Sequence, residues 1–390
     1  MTDDYDVATS VIQTLDGGFI MYGMNTDDSF LYSDVVVKKL SCSGSIEWER
    51  TIGVSFVVTQ ADVSRTIRQN LDSTYIISGT TTDTSGTHSE AFLMKLSSSG
   101  TTIWTRHYGG SGAEDGHDVR ITSDGGYILC GWSDSNSAGG SDAYLIKVDD
   151  IGNVEWEYRY GGANADHAYK IALADDGGYV LGGFTHSFGL GGPGDMYMLK
   201  VDSLGAFEWQ KTFGTLGDDQ GNSLIKTLDG GYAFVGQVTN GSNYDAYFVK
   251  TDSNGNIEWD SNYGSPSNFD NFYDVVQLED SSYVMVGSHY LNPTQAIDMY
   301  MMKINSVGDS LWSVGWGNTS TEEYAYDINK TSDNGFIIAG QYSNIGPPLY
   351  DLWVIKTDSL GCDSPTCSLD CIACDFILPA GYSNADTLWI

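Results

Sequence analysis

A unit of about 52 residues repeats seven times along the 390-residue chain, and this repetition constrains the fold more than any other feature. Each unit contains Asp-Gly-Gly-Tyr or a close relative, a Gly seven residues after the Asp, a later Lys and, in six units, a Trp. The aspartates of this motif are Asp16, Asp72, Asp124, Asp176, Asp229, Asp280 and Asp333. The near-constant spacing indicates that every unit forms the same structural module.

Each unit has the pattern of four short β-strands, here called a to d. In the fourth unit they are predicted near 168–174, 179–183, 196–201 and 206–211, and they are rich in β-branched and aromatic residues. Asp-Gly-Gly suits a tight hairpin between a and b, because Gly accepts positive φ. Segments with a helical period are missing from the sequence.

Four strands per unit and this period predict an all-β, seven-bladed β-propeller of four-stranded antiparallel blades. A solenoid is the competing fold, but it would require end units that differ from the rest, and the first unit is ordinary. We expect the propeller over residues 1–361 and a Cys-rich tail over 362–390. The predicted blades are 1–56, 57–108, 109–160, 161–213, 214–264, 265–317 and 318–361.

The repeat Asp-Gly-Gly-Tyr-x-x-x-Gly, followed by Asp-x-Tyr-x-x-Lys-x-Asp-x-x-Gly-x-x-x-Trp, resembles the propeller repeats of large secreted and cell-surface proteins of Bacteroidota-type bacteria. Chains of that kind often end in a sorting domain for type IX secretion. The resemblance implies an extracellular or cell-surface location and a larger parent chain. It implies no catalytic residues. A signal peptide is not present in this sequence.

The net charge of the chain argues against some classes of binding partner. Lys and Arg number 18 against 52 Asp and Glu, which gives a formal charge of −34. This balance argues against nucleic acid as a partner, and no apolar run is long enough to predict insertion into a membrane. The six arginines all lie in the first three units. Arg65, Arg68 and Arg120 fall on predicted inner strands, where a cluster is possible.

An acidic residue lies ten positions before each motif aspartate, where strand a begins. We call these residues the ring acids: Asp6, Asp62, Glu114, Asp166, Asp219, Asp270 and Glu323. Because strand a is innermost in a propeller, we expect them around one mouth of the central channel. They either concentrate cations, with Ca²⁺ as the candidate ion, or accept backbone hydrogen bonds that lock each blade to the next.

Histidines and aromatic residues supply the remaining candidates on the same face. His117 and His167 follow ring acids in adjacent blades and, with Asp115 and Asp166, form the best metal or acid–base cluster in the sequence. The loops between strands b and c differ strongly from one unit to another, as binding loops do. Their aromatic and imidazole side chains suit contacts with sugars or peptides: His186, Phe188, His289 and Tyr290.

The tail begins where the seventh Trp is missing. Four cysteines there predict two disulfides of undetermined pairing, with zinc as the alternative: Cys362, Cys367, Cys371 and Cys374. The last residues, 386–390, either supply the missing strand of blade 7 or begin a further domain.

Signatures of known enzymes are scarce: the sequence has no Gly-x-Ser-x-Gly, His-Glu-x-x-His or P-loop. The leading hypothesis is therefore a non-catalytic extracellular binding or adhesion module that presents the loops of one propeller face to a glycan or a surface protein. The alternatives are an enzyme that acts on polysaccharide at the channel mouth and a structural subunit of a self-assembling surface structure.

Overall fold

The computed structural model describes residues 5–26, 33–56, 65–82, 88–189, 191–264, 269–290, 297–317, 321–344 and 350–362. These residues form seven separate antiparallel sheets, each built from consecutive strands of one unit, as the propeller prediction requires. No α-helix occurs in these ranges, so no described segment provides an apolar helix long enough to cross a bilayer. The seven-bladed propeller is therefore confirmed.

The strands of the first four sheets follow the order a, b, c, d. Sheet 1 contains β1 (Tyr5–Gln13), β2 (Phe19–Thr26), β3 (Ser33–Leu40) and β4 (Ile46–Phe56). Sheet 2 contains β5 (Ile67–Gln69), β6 (Tyr75–Thr82), β7 (Ser89–Leu96) and β8 (Thr102–Tyr108). Sheet 3 contains β9 (Glu114–Ile121), β10 (Tyr127–Ser133), β11 (Asp142–Val148) and β12 (Val154–Tyr160). Sheet 4 contains β13 (Asp166–Leu173), β14 (Tyr179–Thr185), β15 (Asp195–Val201) and β16 (Phe207–Phe213).

The last three sheets repeat this order. Sheet 5 contains β17 (Gln220–Lys226), β18 (Tyr232–Asn240), β19 (Asn243–Thr251) and β20 (Ile257–Tyr263). Sheet 6 contains β21 (Asp270–Gln277), β22 (Tyr283–Tyr290), β23 (Ile297–Ile304) and β24 (Ser310–Trp316). Sheet 7 has three strands within the described residues: β25 (Thr321–Lys330), β26 (Phe336–Asn344) and β27 (Tyr350–Thr357). Which segment supplies a fourth strand lies outside the described residues.

Each d-strand Trp packs on the next blade. The Trp48 indole Nε1 donates to the Ser98 carbonyl oxygen at 3.1 Å, and a Cβ on Gly100 would lie 2.6 Å from the Trp48 ring. Gly100 has φ +78°, a left-handed conformation that also disfavours other residues. The same packing joins five further pairs: Trp104 with Gly152, Trp156 with Gly205, Trp209 with Gly255, Trp259 with Gly308, and Trp312 with Gly361.

Five of the seven strand-c lysines are buried and bind carboxylates of their own blade. Lys250 Nζ lies 2.9 Å from Asp229 and 2.7 Å from Glu258, and it also donates to the Thr251 carbonyl oxygen at 2.9 Å. The motif aspartate and strand-c Lys are thus partners that close the a–b turn onto strand c. The same pairing joins Lys39 to Asp16, Lys147 to Asp124, Lys200 to Asp176, and Lys356 to Asp333.

The inner strands contain a recurrent β-bulge that explains the strand-b Gly. The bulge appears as a shift in the pairing of strands a and b, for example between Ala168 and Lys170 in blade 4. It brings the inner strand so close to strand b that a Cβ on Gly183 would lie 2.0 Å from the His167 carbonyl oxygen. Any side chain at Gly183 would therefore displace the inner strand.

The residue four positions after each ring acid belongs to a buried polar ring around the channel axis. We define the polar ring as Ser10, Thr66, Asp118, Lys170, Ser223, Asp274 and Asp327. Five of its side chains accept a backbone N–H from the next blade: for example, Ile171 N donates to Asp118 at 3.0 Å, and Ile328 N donates to Asp274 at 3.0 Å. These bonds satisfy buried backbone groups and set the blade spacing.

The propeller closes between blades 7 and 1 with the same bond that joins other blades. Val11 N donates to Asp327 Oδ2 at 2.8 Å, and Asn329 Nδ2 donates to the Val11 carbonyl oxygen at 2.9 Å. Apolar side chains of blades 1 and 7 form one buried cluster behind these bonds, including Phe19 and Ile337. Side-chain packing and hydrogen bonds therefore join the first and last blades.

Candidate binding surface

The ring acids lie at the start of the inner strands, and the six that the structure describes are buried. The most exposed of them, Asp6, shows 9% of its surface. Asp166 illustrates their contacts: it accepts the Gly162 N–H at 2.7 Å, the Ser187 N–H at 3.3 Å and the Thr185 hydroxyl. These bonds tie the loop that enters a blade to the end of strand b. Asp62 lies outside the described residues.

Other ring acids make comparable contacts. Glu114 accepts the Gly110 N–H at 3.1 Å and the Ser133 hydroxyl at 2.9 Å. Asp219 accepts the Thr239 N–H at 2.7 Å. Glu323 is 1% exposed. Among the described residues, no group of three or more His, Cys, Asp or Glu side chains is arranged to hold a metal ion.

His117 and His167 contact the same tyrosine ring and differ in their other neighbours. His117 is fully buried, with Nε2 3.8 Å from Asp115 Oδ2 and its ring in edge contact with Tyr169. His167 instead stacks on Trp132, with ring centroids 5.1 Å apart and an interplanar angle of 12°. Tyr169 contacts both histidine rings, with centroids 4.8 Å from His117 and 6.3 Å from His167, and the acid–base cluster stays a prediction.

His167 belongs to a continuous group of rings at the loop face of blades 3 and 4. We call Trp132, His167, Phe184 and His186 the aromatic patch. Phe184 lies 4.7 Å from His167 and 4.9 Å from His186, measured between ring centroids. Trp132, His167 and Phe184 are half-buried, whereas His186 is exposed.

The His167 ring is fixed in place by two neighbours. Its Nε2 lies 2.6 Å from the Ser141 hydroxyl oxygen, and one face is covered by Trp132. Exposed Asn164 and half-buried Ser187 provide polar groups beside the patch, with Asn164 Nδ2 donating to the His186 carbonyl oxygen at 3.0 Å. The patch therefore combines preorganised rings with nearby hydrogen-bonding groups, the composition of a small-ligand surface.

The other predicted loop residues lie apart from this patch or contribute to its edge. Phe188 is half-buried and stacks with Tyr197, 5.9 Å between centroids. His289 binds ring acid Asp270 through Nδ1, and this hydrogen bond raises the pKa of His289 above its usual value. Tyr290 ends strand β22, and its side chain lies outside what the structure describes.

Sequence reasoning missed Trp132 and Phe184. Both occupy the position directly after the strand-b Gly. The other units have a non-aromatic residue there: Met24, Thr80, Gln237, Ser288 and Gln341. Comparison of that position across the seven units would have identified blades 3 and 4 as unusual.

Cys362 is exposed at the end of the described chain. Its three predicted disulfide partners lie outside the described residues, so the disulfides stay a prediction: Cys367, Cys371 and Cys374. Cys130 is a fully buried thiol in β10, and burial raises its pKa.

Comparisons with known proteins identify the fold of the chain but not its activity. No protein-family model matches the chain. A curated relative, the regulatory protein FlaEY of Caulobacter vibrioides, is 24% identical over 177 residues, which cover 39% of this chain. The chain spans only 18% of that relative's length.

Solved structures with similar folds are distant in sequence. The β-propeller domain of the trilobed protease from Pyrococcus furiosus, described as having an open velcro topology, is 7% identical, with 94% of this chain and 99% of that chain covered and a TM-score of 0.50. A puromycin hydrolase is 12% identical, with coverage of 90% and 52% and a TM-score of 0.51. At these identities the similarity establishes a shared β-propeller fold and no shared activity.

Proposed function

We propose that the chain is a non-catalytic extracellular binding module and that the aromatic patch of blades 3 and 4 binds a glycan. The single observation that carries this proposal is the half-exposed, preorganised ring assembly centred on the stacked Trp132 and His167. Flat apolar rings beside amide and hydroxyl groups match a sugar, which offers apolar C–H faces and a rim of hydroxyls.

Burial of the carboxylates favours binding over catalysis. Glu114 and Asp166 are 0% exposed and are engaged by hydrogen bonds from the protein. A polysaccharide-acting enzyme needs a carboxyl group within hydrogen-bond reach of the scissile bond. The extracellular location rests on the resemblance of the repeats to secreted propellers.

The first test is binding of the purified chain to a glycan array, with calcium and again with EDTA. We expect binding that EDTA leaves unchanged, because the patch uses rings and not carboxylates. Binding lost on chelation would assign the interaction to Ca²⁺ held by carboxylates and would contradict the patch. No binding in either buffer would refute the glycan proposal and direct the search to protein partners.

Matched variants locate the site. His186→Ala removes the exposed ring of the patch, and Trp132→Ala removes the ring that supports His167. Gln237→Ala changes the position of blade 5 that corresponds to Trp132 and serves as the control. We expect at least a fivefold loss of affinity for the first two variants and none for the control, since one aromatic contact contributes about 1 kcal/mol beyond its buried area. Equal affinity of all three would exclude the patch.

A further inference from the structure

The channel mouth on the face of the a–b turns lies opposite the mouth with the ring acids. It contains two of the six arginines of the chain. Arg68 in β5 and Arg120 in β9 occupy equivalent positions, six residues after their ring acids. Both bind the buried carboxylate of Asp118: Arg68 Nη2 lies 3.1 Å from Oδ1, and Arg120 Nε lies 3.0 Å from Oδ2. One carboxylate thus faces two guanidinium groups, and deeper in the channel Asp274 and Asp327 also interact with Arg68 and with Lys170.

The arginine side chains differ in how much of their hydrogen-bonding capacity the protein uses. Arg68 donates through Nη1 to the Ile67 carbonyl oxygen and through Nη2 to Asp118, and its side chain is 15% exposed. Arg120 uses Nε for both Asp118 and the Ile171 carbonyl oxygen. Its side chain is 27% exposed, and neither Nη nitrogen has a hydrogen-bond partner among the described residues. Arg120 therefore presents unused donors at the mouth.

These donors border a pocket of about 300 Å³ on the face of the a–b turns. Its walls are otherwise apolar or neutral: Ile12, Leu15, Leu71, Ile121 and Leu173. Leu71 is 96% exposed and Leu15 is 64% exposed, so both offer apolar surface beside the arginines. The volume is at the lower end of the range of small-molecule sites.

The rim of the pocket is held in position by the neighbouring blades. Leu15 N donates to Gln69 Oε1 at 2.8 Å, so the turn of blade 1 is fixed to the inner strand of blade 2. Ser332 N makes the equivalent bond to Gln13 Oε1 at 2.7 Å. A ligand would therefore meet a preformed opening, with little ordering required on binding.

We propose that this pocket binds a small organic carboxylate with an apolar body, whose carboxylate pairs with Arg120 and whose body covers Leu71 and Ile121. A guanidinium edge matches a carboxylate with two parallel hydrogen bonds. Asp118, Asp274 and Asp327 already offset most of the positive charge in the channel, so the free donors of Arg120 suit a monoanion better than a phosphate dianion. The apolar wall supplies the surface that an inorganic anion could not use.

Charge interactions inside the channel support this assignment. Burial and the neighbouring Arg120 lower the pKa of Arg68, and the carboxylates of Asp118, Asp327 and Asp274 only partly oppose this shift. A bound anion would relieve the repulsion between the two arginines. The proposal does not depend on the glycan-binding function, because the aromatic patch lies on the opposite face of the disc.

The test is titration of the purified full chain with hexanoate and 4-phenylbutyrate, followed by calorimetry, with the corresponding neutral amides and inorganic phosphate as comparison ligands. We expect saturable binding of the carboxylates, and at least tenfold weaker binding of the amides and of phosphate. A charge-assisted bidentate pair justifies a loss of about 10- to 100-fold when either partner is made neutral. Equal binding of acids and amides, or no binding of either acid, would overturn the proposal.

Two variants and one control test the location. Arg120→Gln should weaken carboxylate binding at least tenfold. Leu71→Asp places a negative charge on an exposed rim residue, so it should abolish binding without affecting folding. Leu228→Asp changes the same turn position in blade 5, which is 67% exposed and outside the pocket, and it should bind like the unaltered chain. If Arg120→Gln fails to fold, Leu71→Asp decides: unchanged binding in that variant refutes the site.

Discussion

The strand-c lysines should contribute to the free energy of unfolding according to the number of partners that each one has. Lys250 is 3% exposed and binds Asp229, Glu258 and the Thr251 carbonyl oxygen, all within 2.9 Å. Lys303 holds the same position in blade 6 but is 15% exposed, and its ion pair is with Asp280 alone at 3.5 Å. Replacement of each Lys by Met preserves the length of the side chain and removes the charge, so the two variants form a matched pair.

The expected loss for Lys250→Met follows from these contacts. Its two carboxylate partners are 57% and 46% exposed, so each recovers water when the Lys is removed, and each pair counts as about 0.2–1 kcal/mol. The Thr251 carbonyl oxygen loses a charged donor in a buried place, which costs about 1–3 kcal/mol. The sum is about 1.5–5 kcal/mol for Lys250→Met, against about 0–1 kcal/mol for Lys303→Met.

The assay is urea unfolding of both variants and the unaltered chain at pH 7, compared by their midpoints at a common slope. Equal shifts for the two variants would refute the reasoning, because they would show that the number of partners does not matter. A stable Lys250→Met would refute it more directly.

Acid titration provides a second check on the same pair. Burial opposes ionisation of Asp229, but hydrogen bonds from Thr227, Lys250 and Gly231 outweigh burial and lower its pKa to about 2. A lowered carboxyl pKa stabilises the fold above the unfolded value of about 3.9, and this contribution is lost as the pH falls through about 2. The stability difference between the unaltered chain and Lys250→Met should therefore shrink between pH 4 and pH 2.

Two further predictions concern the turns and the ring closure. Gly205 and Gly177 have φ +83° and +84°, but a Cβ at Gly205 would lie 2.5 Å from the Tyr158 ring, whereas none lies closer than 4.0 Å at Gly177. Gly177→Ala should lower the free energy of unfolding by about 1–2 kcal/mol because of its left-handed backbone, and Gly205→Ala should lower it by about 1–3 kcal/mol more because of the added clash. Urea unfolding measures both, and equal losses would exclude the interblade contact. Burial and the charge of Asp274 raise the pKa of Asp327 to about 6, so the unaltered chain should lose stability as the pH rises through about 6. Asp327→Asn keeps an acceptor for Val11 and should remove that pH dependence in thermal melts; an unaltered chain that gains stability over this range relative to the variant would contradict the assignment.

The fold could be predicted from the sequence because the residues that build a blade occur in every blade. The motif Asp forms an ion pair with the strand-c Lys across one turn, and the d-strand Trp packs against a Gly of the next blade. Each requirement leaves a periodic signal. The strand-b Gly was visible too, although its cause, a bulged inner strand within 2.0 Å of a Cβ at Gly183, could only be seen in three dimensions.

The polar ring could have been found and was not. The fourth position after the ring acid is polar in all seven units, but its chemistry changes from hydroxyl to carboxylate to ammonium. What recurs is the ability to contact the next blade, and in five of the seven junctions a backbone N–H donates to this side chain. A search for identical residues misses a position that is defined by a hydrogen-bonding role.

The two candidate sites share a logic that follows from this repetition. A residue type that recurs in every unit is required to build the blade. A residue that differs from the repeat is not required for that purpose and can contact a ligand. Trp132 and Phe184 depart at the position after the strand-b Gly, and Arg68 and Arg120 depart at the sixth position after the ring acid, where the other units have Ile12, Ala172, Ile225, Val276 and Asn329. All four departures fall in blades 2–4, at opposite ends of the same sector. Blade 5 keeps an ordinary side chain at each position, and for this reason it supplies the controls that separate binding from folding.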